Sequence, residues 1–399
     1  MSIKNVSTKQ VVNYLLISLG IAEAVYLRHI FIDRQSADYL CCVHEWFYHI
    51  KDLGFFRAFK DDFSNYTPPY LYLLAFATHL PIKDIYAIKS VGFLFELLSA
   101  IAIYKIIIDK HGNNLYALWA AVAFSLCPTV ILNGAWWSQC DIIFTCMLLF
   151  SFYYLSKEKN FYGYLFFAIA FAFKLQAIFA LPVFIFLALY NFKNIKYLFL
   201  IPLVYVLFIL PAVIAGRSFY ELLNIYNGQA VANDFLYIGI PTVYALITEP
   251  TKNVTFWSKL GTIVTGILMI LIPVAAYFKT KNKPVSSQFL LKIFMLSAII
   301  IPFIAPHMHE RYFFIADVFS ILYVFYFRKN YFIPFIIIIG SSQGYLDYLG
   351  LYYIPNKAQL AWPIFVAVIF LMYDFFSDKS TTAKDETENG TLIPGVEAD

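Results

Sequence analysis

The chain has 399 residues, of which 61% are hydrophobic and only 14% charged, against about 25% charged in an ordinary soluble domain. With 42 Phe, 31 Tyr and a mean hydropathy of +0.69, a water-soluble globule could not cover its apolar side chains, so the soluble domains that the length would allow are excluded. The net charge of +4 is small and dispersed and gives no ground for a nucleic-acid partner. What remains is a polytopic membrane protein.

Lys4 and Lys9 precede the apolar stretch 11–31, and no small-residue cleavage site follows it. It reads as a retained first membrane helix rather than a signal peptide. Further spans are expected at roughly 84–108, 115–132, 141–156, 161–175, 177–190, 197–214, 258–278, 286–305, 311–327, 331–346 and 358–376. The fold class is therefore all-α, with about twelve membrane helices in one domain, 1–376. Residues 377–399, rich in Thr, Glu, Asp and Gly, read as a disordered tail. The apolar segment 70–81 is too short to span and is read as re-entrant or interfacial.

Basic residues cluster in the short links at Lys110, Lys157/Lys159, Lys193/Lys196, Lys279/Lys281/Lys283 and Arg328/Lys329. The positive-inside rule places these links, both termini and hence the tail in the cytoplasm. The outer face then receives the loop 32–69, NGAWWSQCD (133–141), the stretch 215–257, PHMHE (306–310), the loop 347–357 and the hairpin tip at Lys174. In the first outer loop, Leu40, Val43, Phe47 and Ile50 recur at helical spacing, as in an amphipathic interfacial helix. Gly54 interrupts it, and the prolines of NYTPPY (65–70) force an extended approach to the next apolar piece.

An ionisable group at membrane depth usually faces a cavity or a partner, and four clusters qualify. Asp38 follows Asp33 at the start of the first outer loop. Asp38 can act as a general base, and Ser36 or Asp38 can equally cap the helix. In WWSQCD (136–141) the tryptophans read as interface anchors, while Gln139 and Asp141 open an otherwise apolar helix, where Asp141 also suits the helix dipole. In FKLQ (173–176), Lys174 and Gln176 suit a phosphate or sugar ligand, although Lys174 can also snorkel. In PHMHERYFF (306–314), His307 and His309 can bind a metal or donate hydrogen bonds to phosphate, beside Glu310 and Arg311, whose guanidinium matches phosphate geometry.

Other motifs fail. The histidines of HEWFYH (44–49) are five apart and lie on different helix faces, unlike a zinc-protease pair. There is no Gly-rich phosphate loop and no DxD. The five cysteines lack CxxC or zinc spacing.

Taken in order, SADY (36–39), NYTPPYLYLL (65–74), NGAWWSQCD, FKLQ and HMHERYFF (307–314) resemble the GT-C class of integral-membrane glycosyltransferases. The likeness is to the bacterial mannosyltransferase-like branch and covers roughly residues 30–320. The resemblance implies an enzyme of the bacterial plasma membrane that works on its extracytoplasmic face in cell-surface glycan synthesis. It would move a hexose, with inversion, from a polyprenyl-phosphate donor to a hydroxyl of a glycan or lipid-linked acceptor. Asp38 would be the base; Lys174, His307, His309 and Arg311 would bind the donor phosphate; Tyr66, Tyr70, Gln139, Asp141, Gln176 and Glu310 would bind sugar or acceptor. A phosphate leaving group already bears charge, so no metal or other cofactor is expected. The chain departs from the pattern at Ser138, where relatives more often have glycine (WGQxD), and in lacking a clear acidic partner beside Asp38. Two rivals from other classes are a lipid-linked glycan polymerase or ligase and a transporter or flippase of lipid-linked sugar. The ligase would carry a larger outer loop late in the chain, and the transporter two related halves.

Overall fold

The computed structural model describes residues 7–231, 234–281, 283–352 and 356–377; the expected tail from 378 onward lies outside them. Every described element is helical, and the one β feature among the described residues is an isolated parallel bridge between Tyr237 and Met308. Among the described residues, six helices are long and apolar enough to cross a membrane: Thr8–Phe31, Asp84–His111, Phe192–Ala215, Val254–Thr280, Ser287–Ile304 and Ala358–Ser377. Asn114–Ser125 and Pro128–Trp136 make a seventh if they form one span bent by 52°. The chain is thus an integral membrane protein built of helices.

Other apolar helices at the expected spans are shorter: Asp141–Leu155, Asn160–Phe173, Leu175–Tyr190 and Phe314–Phe327. Burial explains their length. Almost every side chain of Asp141–Leu155 and Phe314–Phe327 is buried, and a helix walled by protein need not match a hydrocarbon core of about 30 Å. Thr8–Phe31, by contrast, leaves Leu15, Leu19, Val25 and Tyr26 exposed, an outward apolar face suited to lipid. Pro68–Ala77, overlapping the segment 70–81 expected to be re-entrant or interfacial, is a ten-residue helix about 15 Å long, half the core thickness. Its two prolines occupy the first turn, where no N–H is needed, after an extended Thr67 (φ −66°, ψ 146°).

The helix ends sort into two groups. Lys157 pairs with Asp109 at 2.9 Å, His111 Nε2 lies 3.0 Å from the Tyr326 carbonyl, and Tyr190 donates to the Lys283 carbonyl. The basic links thus gather at one end. Asp141, Lys174 and the 306–311 turn lie at the opposite ends of the same helices.

The segment expected as the first outer loop begins with a π-helical turn, Tyr39–Val43, and continues as His44–Leu53 until Gly54 turns away at φ +74°. Its inward stripe is Tyr39, Val43, Trp46, Phe47 and Ile50, whereas Leu40 is exposed. The reason is local. Ser36 Oγ accepts from the Tyr39 N–H at 3.0 Å and donates to the Trp137 carbonyl at 2.8 Å, which fixes the helix start with Tyr39 inward. The end of the first helix is pinned by Lys89, whose ammonium donates to the carbonyls of Phe31, Ile32 and Arg34. Below it, Arg28 and Glu96 form a buried ion pair at 2.6 Å. The membrane-depth criterion that singles out Lys174 applies equally to Lys89 and Glu96; both prove to join helices.

Candidate active site

Ser36 caps the helical segment that leads into Tyr39–Val43, so the Asp38 carboxylate is left for other partners. Oδ2 accepts from Trp137 Nε1 at 2.9 Å and Gln139 Nε2 at 2.7 Å, and Oδ1 accepts from the Tyr348 hydroxyl at 2.5 Å. Arg311 Nη1 approaches Oδ2 at 3.4 Å. Four groups from three distant segments therefore orient one carboxylate that keeps 31% of its side chain exposed. Asp33, the neighbouring candidate, is a surface residue bonded to Tyr86 and 3.8 Å from Lys83.

Trp137 is not an interface anchor. It is 1% exposed, stacks on Tyr348 at 4.0 Å and 11°, and aims its N–H at Asp38. The chain can make this turn only by placing Ser138 at φ +65°, a left-handed conformation that costs a residue with a Cβ about 1–2 kcal/mol. The Ser138 hydroxyl is also buried without a partner among the described residues. Ser138→Gly is accordingly expected to stabilise the protein by about 1 kcal/mol, once the greater freedom of unfolded glycine is subtracted. A higher thermal midpoint in detergent with unchanged turnover would check this; a lower one would refute it.

Asp141, at the start of its helix, is buried against the Lys174 ammonium, with Asn133 Nδ2 at 2.8 Å and Arg311 Nε at 3.4 Å. Lys174 does not snorkel. It sits in an extended break after Asn160–Phe173, only 8% of its side chain is exposed, and its ammonium lies 5.2 Å from the Tyr66 ring centroid. Two carboxylates, Asp38 and Asp141, thus balance two cations, Lys174 and Arg311. Gln139 links them to Tyr66, whose hydroxyl donates to Gln139 Oε1 at 3.3 Å.

The 306–311 turn is clamped from outside. His307 adopts φ +61°, its N–H donates to the Leu236 carbonyl, and its Nδ1 lies 2.7 Å from the Phe235 carbonyl. Gly344 lets the helix Phe332–Tyr348 reach the turn, since a Cβ there would stand 3.0 Å from the Glu310 carbonyl oxygen. Burial, reinforced by the positive charge of Arg311, depresses His309 to about 4. His309 therefore offers a ligand a hydrogen bond and no charge at neutral pH. Burial raises Glu310 from 4.5 to about 7.

These shifts act on stability in opposite senses. Folded Glu310 holds a proton that the unfolded carboxyl releases, so its contribution is full below about 4.5 and is lost as pH rises to about 7. Unfolded His309 binds a proton that the folded ring refuses, so its contribution grows as pH rises from about 4 to 6.5. The two slopes oppose each other over the shared range. Thermal midpoints measured across it are expected to rise with pH in Glu310→Gln and to fall with pH in His309→Gln. Parallel profiles for the two variants would contradict the assignment.

A cavity of about 670 Å³ opens beside this cluster. Tyr66, Lys174, Gln176, His309 and Arg311 line it, and Gln176 Oε1 is buried without a partner among the described residues. Asp38 meets the cavity through Arg311. Tyr70, Gln139 and Asp141 are buried behind the wall and contact the lining residues. The structure does not bring His307 or Glu310 to this cavity; they hold the turn that carries His309 and Arg311. Sequence reasoning missed Asn133, Tyr348 and Arg217. Arg217 lines the cavity from just past the span Phe192–Ala215, in a stretch marked only as outer loop. Asn133 and Tyr348 carry no charge to betray them. Among the described residues, no three His, Cys, Asp or Glu side chains converge as metal ligands.

An all-helical membrane protein with paired buried charges beside a polar cavity is the kind of scaffold on which a transferase site can be built. The family model of glycosyltransferase family 87 matches residues 63–302, more than half of the chain, and the protein belongs to that family. It is therefore a membrane glycosyltransferase, using a sugar donor and an acceptor. No curated protein matches the chain. The matched region contains Tyr66, Tyr70, Gln139, Asp141, Lys174 and Gln176; Asp38 and the 307–311 turn lie outside it and join the site through geometry alone.

Proposed function

We propose that the protein transfers a hexose, with inversion, from a polyprenyl-phosphate donor to an acceptor hydroxyl on the extracytoplasmic face of a bacterial plasma membrane. The observation that carries this reading is the position of Arg311. It reaches the partly exposed carboxylate of Asp38 on one side and lines the cavity with Lys174 and His309 on the other. A base and a cationic phosphate site thus adjoin through one guanidinium.

In this mechanism Asp38 takes the proton of the acceptor hydroxyl, whose oxygen bonds to the anomeric carbon as the bond to phosphate breaks. The phosphate leaves with an added negative charge, which Lys174 and Arg311 stabilise while His309 donates a hydrogen bond. Gln139 and Asp141 orient these groups, and Tyr66 and Gln176 face the sugar. The charge distribution supports the outer location: the basic links gather at the end opposite the site, as the positive-inside rule requires of a cytoplasmic end.

Purified protein given a panel of short-chain polyprenyl-phosphate sugars should consume at least one and release polyprenyl phosphate. Consumption of nucleotide sugars with none of the panel used would overturn the donor class.

A further inference from the structure

The cavity lining holds a further cation, Arg217, that the mechanism above does not use. Arg217 follows the span Phe192–Ala215, and only 2% of its side chain is exposed. Its Nη2 bonds to Asp62, while Nε and Nη1 are buried with no hydrogen-bond partner among the described residues. Leaving donors of a buried guanidinium unmet is unfavourable, and Asp62 is a poor counter-ion, since 67% of its side chain faces solvent. Lys174 and Arg311, by contrast, share two well-held carboxylates. The same cavity is lined by Ser64, Asn224 and Gln229, neutral groups able to bond further oxygens, and by Glu221, whose side chain is exposed to solvent.

We propose that Arg217 binds a second phosphate group of the substrates, separate from the one at Lys174 and Arg311, by exchanging Asp62 for it. A planar guanidinium with free donors matches phosphate in a two-pronged contact. A cavity of about 670 Å³ has room for more than a single sugar phosphate. The inference rests on the reading that Lys174 and Arg311 take the donor phosphate. The second phosphate belongs either to the acceptor or to a diphosphate carrier, and the chemistry at Arg217 is the same for both.

The test needs no turnover, so a failure of the donor assignment, seen as no sugar consumed, is distinguishable from a failure here. Inorganic phosphate is titrated into full-length protein in detergent, and binding is read by calorimetry. Asp62→Asn, a change at an exposed position, is expected to tighten phosphate binding about tenfold by removing the competing carboxylate. The gain should vanish in Asp62→Asn/Arg217→Gln. Unchanged or weaker binding in Asp62→Asn, or a gain that survives in the double variant, would overturn the proposal. Phosphate should still bind when short-chain polyprenyl monophosphate is saturating; loss by competition would show that Arg217 serves the same phosphate as Lys174. Short-chain polyprenyl diphosphate then separates the sources. Tightening of the diphosphate by Asp62→Asn assigns the second group to the carrier, and no tightening of it, with inorganic phosphate tightened, assigns it to the acceptor.

Discussion

Asp38→Asn is expected to lower the rate of sugar transfer by about 10²–10⁴-fold, the range contributed by a positioned general base, while the donor still binds. The loss should fall on kcat, because Asp38 does not line the cavity assigned to the donor phosphate. The variant also turns an amide N–H toward one or more of Trp137, Gln139 and Tyr348, all of which donate to the carboxylate. Donor affinity and thermal midpoint must therefore be measured beside turnover to separate lost chemistry from lost structure. A variant that is folded, binds donor and transfers sugar at the wild-type rate would remove Asp38 from the mechanism. Tyr348→Phe supplies a graded comparison: it keeps the carboxylate and removes one of its four hydrogen-bond donors.

The second large effect is at Lys174. Lys174→Met leaves Asp141 buried without its nearest cation, and breaking such a pair from one side costs about 3–5 kcal/mol. Arg311, 3.4 Å from the same carboxylate, offsets part of this, so the lower end of the range is expected. Lys174→Met/Asp141→Leu should recover most of that stability, because it removes the stranded charge along with its partner. Turnover should not recover, since the ammonium that serves the phosphate is still missing. Thermal midpoints of the single and double variants, set beside donor binding, decide the matter. A double variant that regains activity would show that the pair is structural only, the role that a helix-start aspartate and a buried lysine also allow.

The membrane-helical class follows from composition alone, because so few charged side chains cannot solvate so many apolar ones. The positions of the helices follow from runs of apolar residues, and the apolar helices sit close to the expected spans. Lys174, Asp141 and the HMHER turn were legible for a related reason. Charge is costly within an apolar stretch, so each such residue announces that something compensates it. The sequence does not say whether the compensating group is a ligand or another helix, and the same signal at Lys89 and Glu96 marks joints between helices.

What the tertiary structure decided is which groups meet. Asp38 looked like one of two carboxylates and a rival cap for its own helix; Ser36 takes the cap, and Trp137, Gln139 and Tyr348 take the carboxylate. Trp137 looked like an anchor in the membrane interface and is a buried donor to Asp38. His307 looked like a partner of His309 and faces the other way, bound to the backbone at Phe235. Tyr348 and Asp38 are 310 positions apart, and Arg217 and Asp62 are 155 apart. Apolar patterning is local, so one chain displays it. Hydrogen bonding across helices depends on how their faces pack, and nothing in the spacing of these residues encodes that.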